Sequence, residues 1–139
     1  MTRVAFVCVR NAGRSQMATA FAERERERRG LDVDIVSGGT RPAAAPHDVV
    51  VEAMREEGID LADRTPREVT TAELESCDVV ATMGCSTLEL DADEVEIRDW
   101  ALDDPGERPI ERVREIRDEV ETRVVALFDE LEREVDAGV

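Results

Sequence analysis

Lysine is absent from the sequence: all 18 basic residues of the 139-residue chain are arginines, and they stand against 34 acidic residues. The net charge of −16 disfavours nucleic acid and anionic membranes as partners, because both are negatively charged themselves. An acidic surface without lysine is typical of proteins dissolved in concentrated salt, where carboxylates hold water and the salt screens their repulsion. The composition therefore predicts a halophilic protein, with an acidic protein of an ordinary cytosol as the alternative.

Long apolar runs, an even cysteine count and a second histidine are missing too. No stretch approaches the length of a membrane span, and the N-terminus begins with a strand-like pattern instead of a signal peptide, so we expect a cytoplasmic protein. Three cysteines argue against a structural disulfide framework and favour catalytic or redox use. The single His47, expected at the surface or at a helix cap, leaves a Cys/His metal site short of ligands. No metal or other cofactor is expected.

The chain is organised around residues 3–21. An apolar run at 4–7 predicts a strand that delivers Cys8 into a short loop, and apolar residues at helical spacing after Ser15 predict a helix. At the start of a helix, unpaired N–H groups and the helix dipole favour an anion. A cysteine at the rim of such a loop, with arginines close by, ionises more readily than a free thiol. The pattern predicts a thiolate nucleophile that faces an oxyanion.

Only one of the three cysteines has this context. Cys8 is followed six residues later by an arginine, whereas Cys77 leads to Met83 and Cys85 leads to Asp91 at the same distance. The preceding strand, the small loop residues and the following helix add to the distinction. The alternative is a buried cysteine that ends a core strand, since free cysteine is among the most buried residue types.

The loop sequence Cys-Val-Arg-Asn-Ala-Gly-Arg-Ser-Gln-Met-Ala resembles the phosphate-binding loop of the low-molecular-weight protein tyrosine phosphatase superfamily. Its second half, Arg-Ser-Gln-Met-Ala, is more similar to the thioredoxin-coupled arsenate reductase branch. The resemblance implies that Cys8 is the nucleophile, that Arg14 binds the oxyanion with its fork of donors, and that Ser15 donates its hydroxyl to the Cys8 sulfur. Asn11 and Gly13 suit the unusual backbone angles that turn successive N–H groups inward. The expected oxyanion-binding residues are Val9, Arg10, Asn11, Ala12, Gly13 and Arg14.

The order of predicted elements indicates one α/β domain over residues 1–139. Strand, helix and strand in short succession imply a right-handed crossover and parallel pairing. With the resemblance, this predicts a three-layer sandwich around a four-stranded parallel sheet, with the site at the carboxyl edge of the strands. The predicted strands are 4–7, 32–36, 78–83 and 95–97, with a further short strand at 59–61; the predicted helices are 16–29, a segment between 46 and 58, 69–76 and 110–135; residues 37–40, Ser-Gly-Gly-Thr, are predicted to be a turn near the loop.

An acid for the leaving group is sought in the segment Trp-Ala-Leu-Asp-Asp-Pro-Gly before the last helix, which resembles the family's Asp-Pro loop. The residue-for-residue match makes Asp104, directly before Pro105, the general acid, with Asp103 as the reserve candidate. The alternative is a plain turn before the helix. Tyrosine phosphatases of the family often carry aromatic residues after this pair. Here Gly106 and Glu107 follow, and the chain has no tyrosine, which weakens a phosphotyrosine substrate.

The reductase branch uses two further cysteines after the strand that corresponds to residues 78–83. Cys85 fits the first of them, but residues 86–93 contain no second cysteine. Gly13 stands where the loop commonly has a cysteine, and Thr19 replaces a glutamate that the branch uses near its potassium site. The three-cysteine relay of the branch is therefore incomplete here.

Cys77 and Cys85 flank the predicted strand 78–83 at opposite ends. At about 3.3 Å per residue, the strand separates Cys77 from the edge that carries Cys8 by roughly 15–20 Å, whereas a disulfide needs Cα atoms within about 7 Å. We expect Cys77 to be a buried, inert thiol and Cys85 to be the partner of Cys8.

These residues favour an arsenate reductase-like enzyme of arsenic detoxification. Cys8 attacks arsenate, Cys85 helps arsenite to leave from the Cys8 adduct, and thioredoxin, glutaredoxin or a small thiol restores the enzyme. The first alternative is a phosphatase that forms and hydrolyses a phosphorylated Cys8 from a phosphate monoester, with Asp104 as acid and then base. The second alternative is a non-catalytic phosphate-binding or redox-sensing protein.

Overall fold

The computed structural model describes residues 2–84 and 95–137, with side chains through residue 134. The elements within these ranges are β1 (Thr2–Cys8), α1 (Arg14–Arg29), β2 (Val33–Gly39), α2 (Asp48–Arg55), α3 (Thr71–Glu75), β3 (Val79–Met83), β4 (Glu96–Asp99) and α4 (Ile110–Ala137). Most predicted elements are found with ends that differ by a few residues. The exceptions are the segments at 59–61 and 37–40.

β1 lies inside the sheet, in the strand order β2-β1-β3-β4. All three pairings are parallel, which confirms the predicted four-stranded parallel sheet. The register sets Val4 opposite Val79, and Cys8 opposite both Met83 and Gly39. The carboxyl ends of β1, β2 and β3 therefore meet at one edge, with Cys8 at its centre.

Both faces of β1 are covered, as its continuous apolar sequence requires. Val4 and Phe6 belong to the larger core cluster, which contains the apolar sides of α1, α2 and α4. Ala5 and Val7 belong to a second cluster with Leu74 of α3. Because neighbouring residues of a strand point to opposite faces, the two clusters lie on opposite sides of the sheet. This arrangement is the predicted three-layer α/β sandwich.

The last helix, α4, packs against α1 and α2. Its apolar stripe was predicted from helical spacing, and the stripe is buried. The buried residues are Val113, Ile116, Val120, Val124, Leu127, Phe128 and Leu131. Among the helices of residues 2–84 and 95–137, none combines the length and the apolar composition that a membrane crossing needs.

Residues 59–61 do not form the short strand that was predicted from the run Ile-Asp-Leu. Gly58 has a φ of 76°, and the N–H groups of Gly58 and Ile59 donate to the carbonyls of Arg55 and Met54 at 3.0 and 3.1 Å. These are the two bonds of a Schellman motif, in which the residue after the glycine packs back on the helix. Ile59 accordingly packs on the larger core cluster, so its apolar character belongs to a helix end.

The prediction of a turn at 37–40 is wrong, because β2 continues through Gly39. A Cβ on Gly38 would lie 2.1 Å from a methyl carbon of Val69, and a Cβ on Gly39 would lie 2.6 Å from the carbonyl oxygen of Val9. The two glycines therefore allow other segments to approach the strand closely. The second approach presses the end of β2 against the loop that follows Cys8.

Candidate active site

Cys8 is the last residue of β1 and is 2% exposed. The Asn11 N–H donates to its sulfur at 3.2 Å, and the Ser15 Oγ lies 2.8 Å from the same sulfur. The Ser15 Oγ also accepts a hydrogen bond from the Asn11 Nδ2 at 2.7 Å. A sulfur without its hydrogen only accepts, so in that form both the Asn11 N–H and the Ser15 hydroxyl donate to it.

The side chain of Asn11 connects the loop to the surrounding elements. The residue has a φ of 51°, as expected for a residue that tolerates the left-handed region, and it is buried. Its Nδ2 also donates to the Ser37 Oγ at 3.0 Å, and its Oδ1 accepts from the Arg67 N–H at 3.1 Å and the Gln16 Nε2 at 3.2 Å. The amide thereby joins the loop to α1, to β2 and to the segment before α3. The backbone angle of Asn11 is as expected from the sequence, whereas these side-chain contacts were not predicted.

All five carbonyls between Cys8 and Arg14 accept hydrogen bonds from outside the loop. The backbone N–H groups of Arg41, Ala43 and His47 donate to the carbonyls of Val9, Arg10 and Ala12, respectively, at 2.7, 2.9 and 2.9 Å. The Met17 N–H donates to the Gly13 carbonyl at 2.9 Å. The Gln16 Nε2 donates to the Asn11 carbonyl at 3.0 Å. By contrast, the N–H groups of Arg10, Ala12 and Gly13 donate to no other atom of the described residues. The carbonyl groups of the loop are therefore bonded to the surrounding protein, and its free N–H groups can donate to an anion.

Gly13 is needed for space and not for a left-handed backbone, since its φ is −140°. A Cβ at this position would lie 2.7 Å from the Pro105 Cγ. The expectation of unusual angles therefore holds for Asn11 by the sign of φ and for Gly13 by its ψ of −91°, which lies outside the helix and strand regions. The missing Cβ of Gly13 also lets the Asp-Pro segment lie against the loop.

Arg14 begins α1, two residues before the predicted helix start, and is 8% exposed. Its Nη1 donates to the Leu102 carbonyl at 3.0 Å, and its Nη2 lies 3.9 Å from the Asp104 Oδ2. Gly84 makes room for this guanidinium, because a Cβ there would lie 2.3 Å from the Arg14 Nη1. The side chain is thus fixed between the loop and the Asp-Pro segment, with other N–H donors left for an oxyanion.

Asp103 and Asp104 differ in their partners. The Asp104 Oδ1 accepts the Gly106 N–H at 2.9 Å, and its side chain is 56% exposed, so it can exchange protons with water. Asp103 pairs with Arg112, and this hydrogen-bonded guanidinium lowers the pKa of the Asp103 carboxyl. A carboxyl that is held ionised is a poor proton donor, which favours Asp104 as the acid.

A cleft of about 320 Å³ opens beside Asp104. The other residues that line it are Arg10, His47, Gly106 and Glu107. His47 occupies the cap position of α2 but makes no side-chain cap bond, so the capping role is only positional. Its place in the cleft was not foreseen, because nothing in the local sequence links residue 47 to the Asp-Pro segment.

Cys77 lies far from the site, as expected. It is 4% exposed, and its thiol donates to the Glu73 carbonyl at 3.3 Å. Burial raises the pKa of this thiol, which favours the inert form. Cys85, the expected partner of Cys8, lies outside the described residues, as do residues 86–93.

Metal ligands are not assembled around Cys8 in the part of the chain that the structure describes. One group of acidic residues brings ligand atoms within 4.8 Å of one another, namely Glu57, Asp118 and Glu121. Each of these carboxylates already pairs with an arginine: Arg117 with Glu57 and Asp118, and Arg24 with Glu121. The group belongs to the contact between α2 and α4, so it is no part of the loop.

Comparison with known proteins agrees with this geometry. The model of the low molecular weight phosphotyrosine protein phosphatase family matches residues 3–137. A Halobacterium salinarum protein named "Putative arsenate reductase" is 70% identical over 93% of this chain and 92% of its own length. A glutaredoxin arsenate reductase of Synechocystis is 32% identical over 92% of this chain and 97% of its own. The solved thioredoxin-dependent arsenate reductase of Corynebacterium glutamicum superposes with a TM-score of 0.79 at 32% identity, over 96% of this chain and 63% of that one.

Proposed function

This chain belongs to the low molecular weight phosphotyrosine protein phosphatase family, and from that premise we propose that it is an arsenate reductase that works through Cys8. One observation carries the proposal: the loop after Cys8 keeps N–H donors free above a buried sulfur that already receives two contacts. Such a loop suits a tetrahedral oxyanion. The similarity to named arsenate reductases favours arsenate as that oxyanion.

The first step joins arsenate to Cys8. Loop N–H groups and the guanidinium of Arg14 bind the oxygens of arsenate, while the Cys8 thiolate attacks the arsenic atom. The bond between arsenic and a hydroxyl oxygen of hydrogen arsenate breaks, and the leaving hydroxyl takes a proton from Asp104 and departs as water. The product is an arsenic(V) adduct on the Cys8 sulfur.

The second step reduces the arsenic. The thiolate of Cys85 attacks the Cys8 sulfur, the sulfur–arsenic bond breaks, and its electron pair stays on arsenic, which leaves as arsenite. Two thiols are oxidised to a Cys8–Cys85 disulfide while arsenic(V) becomes arsenic(III), so two electrons balance. The support for Cys85 is its place in the sequence, directly after Gly84 at the carboxyl end of β3. Thioredoxin, glutaredoxin or a pair of small thiols then reduces the disulfide.

A phosphatase is the second candidate, and the placement of Asp104 favours it. A carboxyl 3.9 Å from Arg14 can protonate a leaving group and then activate the water that hydrolyses a phosphorylated Cys8. The cleft beside it is lined by charged and polar residues and glycine, with no Phe, Tyr or Trp among the described lining residues, which weakens an aryl phosphate substrate. Arsenate needs no such cleft, because it carries no organic leaving group.

We also propose a setting for the enzyme. The chain is expected to fold as a single domain over residues 1–139 and to serve arsenic detoxification in the cytoplasm of a halophilic cell. The net charge of −16 supports the salt-rich interior, and the Halobacterium relative agrees with it. Dependence on thiol reductants supports a reducing compartment.

The test runs two assays side by side on one preparation. Arsenate-dependent consumption of reductant, with little hydrolysis of p-nitrophenyl phosphate, supports the reductase; the reverse supports the phosphatase. Phosphate binding without either activity indicates a non-catalytic protein.

Cys8→Ser is the matched control for both assays. The loop and Arg14 remain, so phosphate binding should persist, but both activities should be lost, because a serine hydroxyl is far less ionised than a thiol. Phosphate binding is measured by calorimetry. Substantial turnover by Cys8→Ser would contradict the role of Cys8.

A further inference from the structure

A small cavity of about 150 Å³ lies against Asn11 and shares no lining residue with the cleft beside Asp104. Arg64 and Arg67 line it, and no carboxylate does. This composition is unusual in a chain with 34 acidic residues. The cavity therefore presents two guanidinium groups, whose carboxylate partners Glu23 and Glu73 lie outside its lining.

The two arginines keep donors for a ligand. Arg64 uses its Nη1 for Glu23 at 2.9 Å, and Arg67 uses its two Nη atoms for the Ser37 carbonyl and Glu73 at 2.9 and 2.6 Å. A guanidinium has five N–H donors, so each arginine has further N–H groups. Each arginine has one carboxylate partner, on one side of its guanidinium, so its remaining N–H groups are available to a ligand.

Hydroxyl groups add to the excess of donors. Thr19 is 7% exposed, and its buried Oγ1 has no hydrogen-bond partner in the described part of the chain. The Ser37 Oγ accepts a bond from Asn11, so its own hydrogen remains to be donated. Thr65 is a third hydroxyl on the lining. The Asn11 Oδ1 already accepts two bonds, so it offers little to the free hydrogens of these hydroxyls.

We propose that this cavity binds a small inorganic anion of the chloride class. A space of about 150 Å³ holds such an ion with a few waters, since each water takes about 30 Å³ in the liquid. The guanidinium groups supply the charge and the hydroxyls of Thr19 and Ser37 supply hydrogen bonds. A cation would meet two arginines there, so it is disfavoured.

The bound anion acts on Cys8 through Asn11. An anion that accepts a hydrogen bond from the Ser37 hydroxyl leaves the Ser37 Oγ as an acceptor for the Asn11 Nδ2. The same Nδ2 donates to Ser15, which contacts the Cys8 sulfur. The inference goes beyond the proposed reduction of arsenate, because binding at this cavity requires no turnover.

Crystals grown in potassium bromide test the site directly. We expect an anomalous bromide peak within hydrogen-bond distance of Arg64 or Arg67 and of the Thr19 Oγ1. The peak should be lost in Arg64→Gln and in Thr19→Val, which removes only the hydroxyl. Arg55→Gln, which deletes the same charge at an exposed pair with Asp60, should retain it. An empty cavity at molar bromide, a rubidium peak there in a matched crystal grown in rubidium chloride, or equal bromide peaks in all variants (an adventitious ion only) would overturn the proposal.

A solution experiment covers the coupling to Cys8. Wild type and Thr19→Val are compared in potassium chloride and potassium glutamate at one potassium concentration, since glutamate is a much larger anion than chloride. Ligand binding stabilises the folded state by mass action, so chloride should raise the melting midpoint of the wild type, relative to the variant, by about 3 °C. The rate of Cys8 alkylation, followed by peptide mass spectrometry, should differ at least twofold (about 0.4 kcal/mol) between the two salts only in the wild type. Identical salt responses in both proteins would overturn the coupling.

Discussion

Asp103 and Asp104 are neighbours whose surroundings assign them different chemistry. Asp104→Asn should slow cleavage of an aryl phosphate by a factor on the order of 10² to 10⁴, the usual contribution of a positioned acid. Asp103→Asn should have little effect, because its partner Arg112 lowers the pKa of Asp103 and keeps it ionised. Steady-state rates distinguish the two variants. Both are assayed on p-nitrophenyl phosphate at several pH values, and the release of p-nitrophenol is measured.

The matched pair also tests the register of the Asp-Pro segment. Each change removes one carboxylate from the pair that precedes Pro105, so a general effect of charge would appear in both. A large loss in Asp103→Asn with normal rates in Asp104→Asn would show that the assignment of the acid is wrong.

Among single residues, the sequence predicts the reactive side chains of the loop better than the residues that hold the loop in place. Cys8, Arg14 and Ser15 are close in the chain, so their spacing alone places them in one loop. The partners of Asn11 are 26 and 56 residues away, at Ser37 and Arg67. Such contacts depend on how the sheet and the loops pack, and no local pattern contains them.

At the scale of the elements, the position before or after β3 distinguishes Cys77 from Cys85. Cys85→Ser should abolish or reroute arsenate reduction but spare phosphatase turnover, whereas Cys77→Ser should spare both. The register puts Val79 level with Val4 and Met83 level with Cys8, so Cys77 precedes the end of the strand that is remote from the site. Mass spectrometry of arsenate-treated enzyme without reductant should find a Cys8–Cys85 linkage.

The outcomes that would contradict this ordering are distinct. A Cys8–Cys77 disulfide would mean that β3 leaves its place in the sheet during turnover. Full thioredoxin-coupled turnover by Cys85→Ser would mean that the reductant attacks the Cys8 adduct without an internal partner.

The contact between α2 and α4 has its own pH dependence. Glu56 bonds to Arg114 and Arg117 at 2.7 and 2.8 Å, and these hydrogen bonds lower the pKa of Glu56 from 4.5 to about 2. A lowered folded-state pKa stabilises the fold above the ordinary value, and the contribution is lost as the pH falls towards 2. Glu56→Gln should melt about 1–3 °C lower at neutral pH, since exposed pairs contribute little.

Thermal melts between pH 7 and pH 3 measure this contribution. The midpoint of the wild type should fall more steeply with acid than that of Glu56→Gln, so the two curves converge. Glu52→Gln, on the same helix, serves as the control and should run parallel to the wild type. Parallel curves for Glu56→Gln would contradict the ion-pair assignment.

Element ends are where the sequence predictions went wrong, for related physical reasons. Apolar residues at 59–61 resemble a strand by composition, but a Schellman motif uses them to end α2. Gly38 and Gly39 resemble a turn, but they are glycines because Val69 and Val9 come within contact of the strand. In each case a tertiary contact decided the role of a residue type that has two uses.

For the whole molecule, salt has two opposing effects. It weakens ion pairs, of which this surface has many, such as those of Arg29 with Glu25 and Asp129. It also screens the repulsion among carboxylates that lack a basic partner. The pairs are in contact at about 3 Å, whereas repulsion acts across the molecule, and the screening length falls from about 30 Å at 0.01 M to about 3 Å at 1 M salt. Repulsion is therefore screened more completely than the pairs.

The net effect of salt should be stabilising. With a net charge of −16, the melting midpoint should rise as potassium chloride is increased from 0.01 M to 2 M, and the protein should loosen or unfold at the low end. Glu52, Asp63 and Glu68 are among the exposed carboxylates that have no ion-pair partner in the described residues. The triple variant Glu52→Gln, Asp63→Asn, Glu68→Gln lowers the repulsion without breaking a pair, so it should need less salt to reach the same midpoint. A midpoint that stays constant or falls with potassium chloride would remove the halophilic interpretation, because the excess of carboxylates would then cost the folded chain nothing.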